Sequence, residues 1–427
     1  MKKCLAIIFA SALLINLVTA CGKGKQTGSS ESSSDNKGNS VVTINYYGRP
    51  DDKGVESTIV ANFEKQNSDV KVNYVELPDS SGDRLKTIST VLQSGDDSID
   101  VFAGDVVWPP IFVSAGWVIP LDDYLKPDEL NGYLAGPLSA FQMQGKTYGL
   151  PFMADTGALY YRSDLLEKYG KSAPKTWDEM LQTASEILKK EGNKDLRGYS
   201  SYWKQAESLA CVAIEIYWAN GGNIVDENGK SIIDESKMTA TLAMMQNMMK
   251  TENMTVDGIE TFGTAESRAV VTAGNAIFTR DWLSGYAPFN DKEASAAAGK
   301  MEIAALPGNG TLGGWGVMVS EYSKNKDAAV RFAKFRASYE SQVLANEITR
   351  IVPTIKSMYE DKAVLELTPY LPKFIPVLEQ ARPRPQSPYY AELSGIMQLE
   401  IHSVISGLTT PEQSAANIKQ QIDALLN

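Results

Sequence analysis

From Val41 onward, the apolar positions of the chain switch repeatedly between two periods. Val41 to Tyr47, Val70 to Val75 and Ile99 to Ala103 are short runs rich in β-branched and aromatic residues, as strands require. Between them, Ile59, Val60 and Phe63, and then Leu85, Ile88, Val91 and Leu92, recur at helical spacing. A helix or turn over Val106 to Ala115, broken by Pro109 and Pro110, follows the third strand. Strands alternating with helices at this spacing predict βαβ units, an α/β fold and a largely parallel sheet. Ligands in such open sheets sit beyond the carboxyl ends of the strands, where Asp105 and Trp108 fall.

The middle of the chain is more helical. Thr176-Trp177-Asp178-Glu179 has the form of a capping box, and Gly192 suits the left-handed end of that helix. Helices are expected over Leu209 to Trp218 and Lys237 to Met249, and strands over Ala276 to Thr279, Glu302 to Ala305 and Trp315 to Val319. Thr410-Pro411-Glu412-Gln413 starts the last helix, with proline at its favoured first position. Met244, Met245, Met248 and Met249 suggest an adaptable surface, but their helical spacing favours core packing.

The first forty residues follow different rules. Lys2 and Lys3 precede an apolar run from Leu5 to Ile15, too short to span a bilayer. Val18-Thr19-Ala20-Cys21 reads as a lipobox-like cleavage site after a signal peptide (1–20), leaving Cys21 as a lipid-modified N-terminus. Gly22 to Ser40 has almost no apolar side chain and suits a flexible tether (21–40). The expected place is the extracytoplasmic face of a bacterial cell membrane. About 400 residues then remain, too many for one simple core, so two domains are expected. The net charge of −11 argues against nucleic acid as partner, because that affinity rests on Lys and Arg neutralising phosphates. With Cys4 and Cys21 set aside, Cys211 stands alone in an apolar helix, as a small buried hydrophobe.

Four of the seven tryptophans, Trp108, Trp203, Trp282 and Trp315, sit beside polar or glycine-rich loops, whereas Trp117, Trp177 and Trp218 look structural. An indole face suits the C–H face of a pyranose, and charged side chains suit its hydroxyl edge. Such a mixture is what a neutral sugar needs.

Gly145 to Pro151, Asp155-Thr156-Gly157 and Leu159-Tyr160-Tyr161-Arg162 resemble the hinge of family 1 extracellular solute-binding proteins, the sugar-capturing lipoproteins of ABC importers. Ile99 to Phe102 with Asp105, Gly116 to Asp123, Thr311 to Trp315 and Arg384 to Tyr390 extend the likeness over most of the chain. The resemblance implies a two-lobed α/β fold of the periplasmic-binding-protein type (type II), with a ligand cleft between lobes. The lobes are discontinuous: 41–152 with 302–350, and 153–301 with 351–427. It implies sugar contacts at Arg84, Asp105, Asp155, Trp203, Trp282, Trp315 and Arg384, with Trp108, Gly157 and Tyr160 beside them and Asp52 as a looser match. Met153 stands where trehalose and maltose binders have a tyrosine, which leaves the identity of the sugar open. Membrane permease subunits, a cytoplasmic ATPase behind them and a monomeric state are also implied.

Two other readings compete. A tethered glycoside hydrolase would draw its acid and nucleophile from Asp105, Asp155 and Asp281. A binder of another solute would use Arg84 and Arg384 for an amino acid, or Tyr160 and Tyr161 for iron, although neighbours on a strand point to opposite faces. His402 lies in a helical stretch and reads as structural. With no zinc spacing, Gly-x-Ser-x-Gly elbow or phosphate loop, neither cofactor nor metal is expected.

Overall fold

The computed structural model describes residues 41–427. The expected signal peptide, tether and lipidation of Cys21 fall outside the described residues. The strands, in chain order, are β1 (Val42–Gly48), β2 (Val70–Glu76), β3 (Val101–Asp105), β4 (Gln142–Met143), β5 (Lys146–Thr147), β6 (Leu150–Arg162), β7 (Arg197–Ser200), β8 (Ala276–Trp282), β9 (Met301–Ala305) and β10 (Leu312–Val319). Apart from the β4–β5 hairpin they pair in the order β2-β1-β3-β10-β6-β8-β7, with β9 also on β6.

β6 organises the molecule. Its 13 residues span roughly 40 Å and serve two half-sheets. Leu150 to Thr156 pairs with β10, and Gly157 to Arg162 pairs with β8 and β9. Each half carries its own helices, so the chain forms two α/β lobes. In the first lobe, α1 (Val55–Gln66) buries Ile59 and Phe63, and α2 (Ser81–Gln93) buries Ile88 and Leu92. In the second, the helices Glu207–Ala219, Glu235–Lys250, Tyr390–Ile405 and Pro411–Leu426 pack on one another.

The sheet is parallel only where a helix links neighbouring strands: β1 with β2 and β3, and β7 with β8. Its middle is antiparallel, because β10 enters the first lobe without such a crossover and lies between β3 and β6. The expectation of a largely parallel sheet is corrected there. β9 pairs with the second-lobe half of β6, so the return to the first lobe falls at β10, later than residue 302.

Local details follow from side-chain chemistry. Thr176 Oγ1 accepts from the Glu179 amide at 3.1 Å, and Gly192 ends that helix at φ 61°. Glu179 reaches back to the amide of Lys175 rather than to that of Thr176. Met245 and Met248 are buried, with Met244 and Met249 packed against the same core. Cys211 is fully buried, and loss of solvent pushes its thiol up to about 12. His402 faces the Glu260 carbonyl oxygen at 3.2 Å on the helix Tyr390–Ile405.

Candidate ligand-binding site

A cleft of about 1120 Å³ is lined from both lobes. From the first lobe come the carboxyl ends of β1 and β3, the start of α2, and the turn into β10. They bring Arg49, Arg84, Asp105, Trp108 and Trp315 to one wall. Trp108 and Trp315 meet edge to face, with ring centroids 5.3 Å apart. The second lobe contributes Lys204 to Ser208, Arg268, Trp282 and Tyr390. Asp155 and Arg384 stand where the lobes join.

Glycine shapes this junction. A Cβ on Gly313 would come within 2.8 Å of the Trp282 ring, and Gly314 takes φ 120° against the backbone of Met153. The pair lets β10 lie close beneath Trp282 while its register shifts between Trp315 and Gly316. Trp282 rests on Arg280, whose guanidinium lies 4.1 Å from its ring centroid. Arg280 is in turn gripped by Glu215 through bonds of 2.8 Å and 2.5 Å, with both residues fully buried.

The ionic groups fall into two classes. Arg384 donates to Asp105 Oδ1 at 3.0 Å and to Glu207 Oε1 at 2.6 Å, tying the first lobe to the second. Glu207 also accepts from the hydroxyls of Tyr390 and Ser394. Asp281 is fully buried and held by Arg268, at 3.0 Å and 2.7 Å. Asp155 is different. Burial pushes its carboxyl up to about 7, against the pull of the Leu283 and Thr156 amides that donate to Oδ1 at 2.7 Å and 2.9 Å. Its Oδ2 makes none of these bonds.

Of the eleven residues expected to hold a ligand, the structure brings seven to the cleft: Arg84, Asp105, Trp108, Asp155, Trp282, Trp315 and Arg384. The other four lie off its wall. Trp203 is fully buried against Tyr199, and the residues after it, Lys204 to Ser208, face the cleft instead. Tyr160 is buried, its hydroxyl donating to the carbonyls of Trp282 and Leu283 at 2.8 Å and 3.1 Å, so it braces the turn that carries Trp282. Gly157 is needed for space, since a Cβ there would strike Glu215 and Arg280. Asp52 is exposed, while its neighbour Asp51 accepts from the first amides of α1. Trp117, expected to be structural, also reaches the wall.

Sequence reasoning missed Arg49, Glu207, Arg268 and Tyr390. Arg49 was within reach, because it follows β1 at the same end of the sheet as Asp105, the last residue of β3. Arg268 lies on the helix Thr264–Thr272 and carries no motif. Among the described residues, no cluster of three or more His, Cys, Asp or Glu could hold a metal ion, and no helix is long and apolar enough to cross a membrane.

Known proteins share this arrangement. The family profile described as "Bacterial extracellular solute-binding protein" matches residues 49–343. A Deinococcus radiodurans protein named "Probable ABC transporter-binding protein" is 31% identical over 352 residues, covering 79% of this chain and 83% of its own length. The galactooligosaccharide-binding protein of Bacillus subtilis is 27% identical over 450 residues, covering 99% and 98%. The structure of maltose-bound T. maritima MalE3 matches with a TM-score of 0.81 and 32% identity, over 90% of this chain and all of that one. With two lobes sharing β6, a cleft walled from both, and this likeness in sequence and structure, the chain belongs to the bacterial extracellular solute-binding proteins of ABC transporters.

Proposed function

We propose that this chain captures a sugar, a di- or oligosaccharide, in the cleft and hands it unchanged to a membrane permease. The observation that carries the reading is three indoles, Trp108, Trp282 and Trp315, lining one cleft with Asp155, Asp105 and Arg384. Apolar faces and ionic edges from both lobes are what a pyranose needs. Maltose in the matched MalE3 and galactooligosaccharide in the Bacillus subtilis relative's name agree in chemical class. Contacts from both lobes favour a closed form when ligand is present. The seven cleft residues Arg84, Asp105, Trp108, Asp155, Trp282, Trp315 and Arg384 are the ligand contacts in this reading.

The same reading makes the protein a monomer on the outer face of the membrane, held by lipid on Cys21 and working with permease subunits and their ATPase. It does no chemistry on the sugar. Asp105 and Asp281 are already committed to arginines, which suits positioning rather than proton transfer. Calorimetric titration with neutral di- and trisaccharides, followed by chromatography of the recovered ligand, tests this. Saturable binding with intact sugar is expected; new reducing ends would overturn it.

A further inference from the structure

Two guanidiniums in the cleft have no carboxylate partner. Arg84, on the first turns of α2, is 4% exposed, and neither its Nε nor its Nη1 has a hydrogen-bond partner. Its guanidinium lies 4.5 Å from the Trp315 ring centroid, and that of Arg49 lies 5.4 Å from the same ring. The polar contact of Arg49 is a weak one, Nη1 to the Met153 sulfur at 3.8 Å. Neither arginine forms an ion pair among the described residues. Asp105 is taken by Arg384, and Asp79 and Asp83 are exposed and pair with neither. Contact with an indole offsets part of the cost of burying a cation but accepts no hydrogen bond. Burial pushes Arg84 down to about 10 and the charge of Arg49 beside it pushes the same way, against the opposing pull of the Asp105 and Asp79 carboxylates.

The start of α2 adds to this. Ser80, Ser81 and Gly82 line the cleft at the start of this 13-residue helix, an end that favours negative charge; Ser80 Oγ caps the Asp83 amide there, and the exposed Asp83 carboxylate lies in the same turn. Two unpaired guanidiniums, a helix N-terminus and an indole thus surround one region of the first-lobe wall. A neutral sugar would satisfy their hydrogen bonds but bring no negative charge to the two guanidiniums.

We infer that Arg49 and Arg84 form a subsite for an oxyanion carried by the captured saccharide, a sugar carboxylate or a sugar phosphate ester. This inference rests on the sugar-capture reading above. Each guanidinium donates to an oxyanion oxygen, and the remainder of the sugar extends along the cleft toward Trp282 and Asp155.

Calorimetric titrations of the folded protein decide it, comparing galactobiose with digalacturonate, and maltose with a phosphorylated maltose. Inorganic phosphate and acetate serve as probes without sugar. Wild-type protein should bind at least one acidic disaccharide about tenfold or more tighter than its neutral counterpart, since hydrogen bonds to charged groups are the stronger ones. Which acid gains distinguishes carboxylate from phosphate. Arg49→Gln and Arg84→Gln should each erase most of that preference, read as the ratio of acidic to neutral affinity within each variant. Neutral disaccharides binding as tightly as both acidic ones would overturn the subsite and leave sugar capture intact. Inorganic phosphate or acetate binding as tightly as the acidic sugars would also overturn it. Failure of every sugar to bind would instead remove the capture reading itself.

Discussion

Trp282 is the most informative single side chain. It is half-buried, one face supported by Arg280, and it lines the cleft. Trp282→Ala should weaken sugar binding about 10- to 100-fold, with little change in melting temperature. Trp315 is only 7% exposed and packed against Trp108, so Trp315→Ala should lower both affinity and thermal stability. Asp155 yields a pH prediction. Its carboxyl is raised to about 7 in the folded chain, while the unfolded value is the ordinary one near 3.9. Between those values the folded protein holds a proton that the unfolded chain has lost. Stability therefore falls as pH rises through that window, by up to about 4 kcal/mol. Asp155→Asn should flatten the dependence, so that melting curves of the two proteins diverge between about pH 4.5 and about pH 7.5; parallel curves would refute the assignment. At this scale the sequence was a good guide to residue type and a poorer one to direction. Trp203 sits in the right loop but turns inward, because side-chain direction depends on backbone geometry that spacing does not encode.

At the level of elements, the Glu215–Arg280 pair joins the helix Glu207–Ala219 to β8 directly beneath the Trp282 platform. Removing one member leaves an uncompensated charge in the core. Glu215→Gln should therefore cost about 3 kcal/mol or more in chemical denaturation. The paired change Glu215→Leu with Arg280→Met should restore part of that stability, the buried Thr311 amide and hydroxyl losing Glu215 as acceptor, while sugar affinity stays low because the support under Trp282 is gone. Full affinity in the double variant would show that the pair only fills space. The first three strands and the helices between them were legible, since their periods of 2 and 3.6 are clear and their ends carry turn residues. β6 was not. Its run Leu150 to Arg162 is buried for most of its length on both faces and has Asp155 in its middle, so it lacks the alternation that marks a strand. The antiparallel centre of the sheet escaped for a related reason, since pairing direction is set by long-range return of the chain.

Over the whole molecule, the cleft was foreseeable only through motifs scattered from Arg84 to Arg384, which tertiary structure gathers. Closure of the lobes over a bound sugar predicts a smaller radius of gyration in solution scattering when saturating ligand is added; an unchanged profile would argue against it. Cys21→Ser should release the protein into the medium or leave it unprocessed, and unaltered membrane association on fractionation would contradict the anchor. β6 has a further consequence. Because one uninterrupted strand is stitched into both half-sheets, neither half can melt without tearing hydrogen bonds from the other. A chain of this length would ordinarily be expected to show two separable heat-absorption peaks. Here scanning calorimetry should record a single cooperative peak, with calorimetric and van't Hoff enthalpies in agreement.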